Sequence, residues 1–186
     1  MIDRLFRSIG LLAVMVAVVI SFSSFVPSVE TAFVPPDRVR ESRPDPLPYG
    51  VDHRFVDTVL YYADETGLPF WMLCRMFGQE SVGDPMAGWW NTRAVSWAGA
   101  RGLAQLMPKN LAFFSHLYNE DRPIDPFDPV VSIKVGSRYM ADLVASAGWR
   151  IGVMAYNGGL GHWTDPVRYG GFVDESIVYA WTIIRK

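Results

Sequence analysis

Apolar residues recur at three- and four-residue steps over most of the chain's C-terminal three quarters. Phe55, Val59, Tyr62 and Ala63 form one such face, with Asp52 before it as a capping residue and Gly67 after it as a stop. Pro69 suits a first helical turn, and Phe70, Leu73, Cys74 and Phe77 continue the same spacing to about Ser81. Residues 82–98 carry glycines, prolines, Trp89 and Trp90, and read as a loop. A short helix is expected near Gly102–Leu106, and Pro108 opens another to about Leu117. Asp121 to Pro129 contains three prolines and is a loop. Asp128 and Pro129 then form a cap-and-first-turn pair for a helix bearing Val131, Val135, Tyr139, Leu143 and Val144, which stops at Gly148. A further helix covers about Trp149–Asn157 and breaks at Gly158-Gly159-Leu160-Gly161. The last spans about Val173–Ile184. No stretch alternates with a period of two, so the expected class is mainly α: a compact helical domain with at most a small β-hairpin inside a loop.

The first 33 residues follow another pattern. Arg4 and Arg7 precede an apolar run from Ile9 to Ile20, which continues more weakly to Val26. A basic start followed by a hydrophobic stretch is the layout of a secretory signal, and Ser21-Phe22-Ser23 offers a poor small-x-small cleavage site. The same 18 residues, Ile9 to Val26, make roughly 27 Å of helix, just enough for an uncleaved membrane anchor. Both readings send the remainder across the inner membrane. A buried core helix is disfavoured because the run has no polar face. Residues 34–51 hold five prolines among arginines and acids and read as a spacer. The folded domain is therefore expected over 52–186.

Composition removes several function classes. The 186 residues carry 17 basic and 19 acidic side chains, a formal net charge of -2. Without an overall positive field, nucleic acid is not an expected partner. The single cysteine, Cys74, excludes an internal disulfide and a cysteine-clustered zinc site, and it shares a stripe with Phe70 and Phe77, so packing is its expected role. His53, His116 and His162 lack metal-ligand spacing, so no metal or other cofactor is expected. Half of the residues are hydrophobic and seven are tryptophan, enough for a dense core or for a groove that stacks on cyclic ligands.

The chemistry is then sought among carboxylates. Glu80 ends the second helix in Phe77-Gly78-Gln79-Glu80-Ser81, one turn past an apolar face. A carboxyl partly shielded there keeps its proton toward neutrality, as a general acid must. A glutamate at a helix end is otherwise a solvated surface residue, and the wider sequence decides between the two. Ser96 opens Ser-Trp-Ala-Gly-Ala-Arg-Gly-Leu-Ala-Gln-Leu-Met-Pro; Ala155-Tyr156-Asn157-Gly158-Gly159 follows, and then Glu175-Ser176-x-x-Tyr179. These pieces, in this order, resemble the catalytic domain of the soluble lytic transglycosylases, relatives of goose-type lysozyme. The Asp128-Pro129 helix with Gly136 and Tyr139 resembles the family's intervening helix, and the likeness covers about 54–181.

The resemblance implies a lysozyme-like fold with a cleft, and a reaction on peptidoglycan glycan strands at the bond between N-acetylmuramic acid and N-acetylglucosamine. Glu80 matches the family's catalytic acid. Gln105 and Met107 match groove residues that contact the glycan, Tyr156 and Asn157 the pair beside the acid, and Ser96 and Glu175 residues lining the same cleft. Each also has a plainer reading: core packing for Met107 and Tyr156, a helix cap for Asn157, and a helix-dipole acid for Glu175. Ala104 departs from the usual methionine, and Ser176 replaces threonine while keeping the hydroxyl. Asp84, the one nearby substitute for a second carboxylate, stands in a Gly-Asp-Pro turn setting. An insertion between Glu80 and Ser96 carries Trp89 and Trp90, which either fold onto the core or add a sugar-stacking wall. A muramidase using the same acid and a non-catalytic glycan-binding component remain the alternatives. Compact exported forms of this kind resemble those that open the wall locally for envelope-spanning secretion or conjugation systems, or that phages carry.

Overall fold

A computed structural model describes residues 50–81 and 88–184. The expected leader at 1–33, most of the spacer and Asp84 lie outside the described residues. Val51, at the end of the expected spacer, is buried in the core.

The helices are α1 (Val56–Thr66), α2 (Phe70–Glu80), α3 (Leu111–Tyr118), α4 (Pro129–Gly158), α5 (Gly161–Thr164), α6 (Pro166–Tyr169) and α7 (Asp174–Ile184), with a 3-10 turn at Pro108–Asn110 before α3. The mainly α class is what the structure has. Of the expected small hairpin only its barest form is there: isolated antiparallel bridges pair Val95 with Arg101 and Arg101 with Leu106, with no strand among the described residues.

Local signals act as expected at several joints. Gly67 ends α1 in the left-handed region at φ 71°, its N–H donating to the Ala63 carbonyl. The Asp128 carboxylate accepts from the N–H groups of Val130 (2.9 Å) and Val131 (3.2 Å), capping α4 behind Pro129. Gly148, with φ 76° and ψ 167°, interrupts α4 where two helices were expected. Two short helices, α5 and α6, fill a stretch with no sequence-based expectation.

Two expectations fail. Residues 102–106 are not helical. Gly102 has φ 74° and Gln105 φ 47°, and the backbone doubles back in a tight turn between the two bridges. Nor does Asp52 cap α1, because residues 53–55 form a turn before the helix begins. Asp52 is 1% exposed. Its carboxylate accepts the Trp90 N–H at 2.8 Å and a two-point contact from Arg54. Burial opposes its ionisation, but Arg54 and the Trp90 and Arg54 N–H groups outweigh burial and hold the carboxyl below its usual range.

Helix α4 is the central element, packing against both α1 and α7, while α2 packs on α1 and α7. Phe70, Met72, Leu73, Met76 and Phe77 of α2 are fully buried, together with Val59, Ile133, Met140 and Ile183. Only three residues join α1 to α2, so the two run antiparallel. The Trp90 ring confirms the alignment: it contacts Phe55 before α1 and Phe77 near the end of α2. The start of α1 thus lies beside the helix end that carries Glu80. Cys74 is buried, as its apolar stripe requires.

Candidate active site

Glu80 is the last residue of α2, half-buried above the core residues Met76 and Phe77. Burial pushes its carboxyl up to about 7; a hydroxyl contact from Tyr179 opposes the rise and the charge of Glu175 adds to it. Ionising a half-buried carboxyl is costly because part of its hydration is lost. At neutral pH the group therefore divides between acid and base forms, the range a proton shuttle needs.

Two elements converge on it. Helix α7 brings Glu175 in its exposed first turn and Tyr179 one turn further, on the buried face. The Tyr179 hydroxyl is buried and makes no hydrogen bond of full geometry among the described residues, although it lies close enough to Glu80 to favour the ionised carboxylate. The end of α4 brings Tyr156 and Asn157. Burial first, and then the charge of Glu80, pushes both phenols well above their ordinary range, so each remains a proton donor.

Tyr156 has already committed its proton. Its hydroxyl donates to the Ala104 carbonyl at 2.9 Å, which ties α4 to the 94–106 hairpin. Gly136 makes room for that tie: a Cβ there would lie 2.7 Å from Ala104 Cβ and 3.1 Å from the Tyr156 hydroxyl. A Tyr156→Phe variant should lose about 1–2 kcal/mol of stability, because the buried Ala104 carbonyl is left without its donor; thermal unfolding measures this. Asn157 is exposed, and its side-chain oxygen accepts from the buried Ser176 hydroxyl at 2.9 Å. It joins α4 to α7 through its side chain, and the serine standing in for threonine supplies the bond.

Ser96 and Gln105 lie on the hairpin segment and Met107 directly after it, and all three are half-buried. The Ser96 hydroxyl oxygen accepts from the Ala100 N–H at 3.0 Å and fixes the turn at the hairpin tip. The Gln105 amide donates to the Gly102 carbonyl at 2.9 Å. Both side chains therefore shape their own segment, which reaches the surroundings of Glu80 through Tyr156. Glu80 interacts through charge with Tyr156 and Glu175, whereas Asn157 bonds to Ser176, the residue after Glu175. Tyr179 is the site residue that sequence reasoning did not select. Its signal was its place at the end of the Glu-Ser-x-x-Tyr element, three residues from the inward-facing Ser176. Among the described residues no cluster of acids, histidines and cysteines is suited to a metal ion.

The helical domain that carries this acid has counterparts. The transglycosylase SLT domain model matches residues 61–178, and the chain belongs to that family. It is similar in fold to the lytic transglycosylase Slt of Pseudomonas aeruginosa, solved as an inactive mutant, with a TM-score of 0.54 at 24% identity over 70% of this chain and 22% of that one. It is also similar to the 70 kDa soluble lytic transglycosylase Slt70 of Escherichia coli, with a TM-score of 0.55 at 22% identity over 68% of this chain and 22% of that one. The chain thus matches about a fifth of the length of these two proteins. No curated protein sequence matches it.

Proposed function

We propose that the domain is a peptidoglycan lytic transglycosylase that cuts the β-1,4 bond between N-acetylmuramic acid and N-acetylglucosamine with Glu80 as its one acid and base. The observation that carries this reading is the place of Glu80, half-buried at the end of α2 near Tyr179 and Tyr156, where burial pushes its carboxyl up to about 7. Protonated Glu80 gives its proton to the bridging oxygen, and the bond from that oxygen to the first carbon of the muramyl sugar breaks. The N-acetyl carbonyl of that sugar stabilises the positive carbon. Ionised Glu80 then takes the proton of the sugar's 6-hydroxyl, whose oxygen bonds to the first carbon. A 1,6-anhydro ring results, the acid is regenerated and no water is consumed. The exposed Glu175 acts on Glu80 through its charge, and the cycle asks for no second carboxylate at the reacting carbon.

The same proposal puts the domain in the periplasm, soluble or held by its N-terminal segment, opening the wall for an envelope-spanning machine. Mass spectrometry of the products from sacculi tests the chemistry. Fragments ending in anhydro-muramyl sugars are expected. Reducing ends alone would identify a muramidase, and no release at all would leave a glycan-binding protein.

A further inference from the structure

Trp89 and Trp90 are neighbours in sequence with opposite surroundings. Trp90 is 3% exposed: its ring packs on Phe55 and Phe77, and its indole N–H donates to the Gly50 carbonyl at 3.0 Å. Trp90 belongs to the core. Trp89 is 64% exposed. It does not hang loose, however, because the Arg54 guanidinium lies over its ring at 5.0 Å from the centroid and over the Phe55 ring at 5.0 Å.

That guanidinium is itself held fast. It donates to both oxygens of the buried Asp52 and to the Trp90 carbonyl at 3.2 Å. Asp52 in turn fixes the Trp90 backbone. Buried carboxylate, guanidinium and indole form a stack whose last member presents aromatic surface to water. A large apolar ring that already rests on a fixed partner loses less rotamer freedom when a ligand binds, which favours binding. The charge of Arg54 is matched by Asp52, so the stack does not attract an anion. It suits a neutral ring with an apolar face.

We propose that Trp89 is a stacking platform for an aminosugar ring of the glycan, outside the rings that flank the scissile bond. Its position fits: Trp90 next to it bridges the start of α1 to the Phe77 turn of α2, at the helix end that carries Glu80. The apolar C–H face of a pyranose would lie on the indole, lengthening the stretch of strand that the domain grips. This inference rests on the glycan-cleaving reading above.

The test measures binding with the full chain carrying Glu80→Gln, so that nothing is cut. Affinity for glycan strands stripped of their stem peptides is compared with and without Trp89→Ala. A weakening of about tenfold is expected, as for the loss of one aromatic stacking contact. Trp89→Tyr, which keeps a flat ring on Arg54, should restore most of it. Equal affinity of the Ala variant, or no recovery with Tyr, overturns the platform while leaving the chemistry at Glu80 intact. Failure of the parent to bind stripped strands overturns the platform as well, and the anhydro products of the unaltered protein then judge the enzyme separately.

Discussion

Glu80→Gln should abolish release of anhydro-muramyl products from sacculi, lowering the rate by a factor of about 100 to 10,000, while making the domain more stable at alkaline pH. The first effect follows from the proposed cycle, in which one carboxyl both gives and takes the proton. The second follows from the same burial. In the unfolded chain the group releases its proton near its ordinary value of 4.5, and in the folded domain near about 7. Between those values the folded state binds more protons, so stability falls as pH rises through the window and does not recover above it. The deficit at pH 8 is about 3 kcal/mol, from the 1.36 kcal/mol that each pKa unit represents. Glutamine carries no such charge. The variant should therefore unfold several degrees later than the parent at pH 8 and match it near pH 4.5. Activity of the parent should decline above about pH 7 as the acid form disappears. Equal melting temperatures at pH 8 would show that Glu80 is well solvated, and retained anhydro product would remove it from the reaction.

The parts of this site that were legible in the sequence are those set by short-range chemistry. Asp128 and Pro129 cap α4 with bonds to residues two and three positions on, so no distant partner is needed to foresee them. The apolar spacing of α2 delivers Glu80 at its end, and the expected desolvation follows from that position. Failures arise where tertiary partners override local preference. Asp52 has the form of a helix cap but is taken by Trp90, 38 residues away. Trp89 and Trp90 look alike in sequence, and only the partners of each ring, Arg54 for one and Phe55 with Phe77 for the other, tell the exposed ring from the core one. Tyr179 stood in the quoted motif, yet its bearing on Glu80 depends on how α7 packs against α2.

The misread turn at 102–106 has the largest structural consequence. Gly102→Ala should cost more than about 4 kcal/mol, among the largest effects of a single substitution. Gly102 has φ 74°, and a Cβ there would sit 1.7 Å from the Pro126 carbonyl oxygen and 2.8 Å from its carbon. Both are backbone atoms of the loop that leads into the Asp128 cap, so neither swings aside as a side-chain tip would. Relief requires the hairpin to lift away from α4. That lift breaks the bond from the Ala104 N–H to the buried Ser132 hydroxyl (3.0 Å) and the bond from Tyr156 to the Ala104 carbonyl. Stability and the seating of Tyr156 beside the acid should therefore be lost together. Gly99→Ala separates collision from backbone strain, since Gly99 has φ 85° and nothing within 4 Å of its Cβ position. That substitution should cost only about 1–2 kcal/mol. Urea unfolding of the two variants measures the difference. Similar midpoints would mean that the hairpin is not clamped against Pro126, and the route by which the 94–106 segment is held against α4 would have to be abandoned.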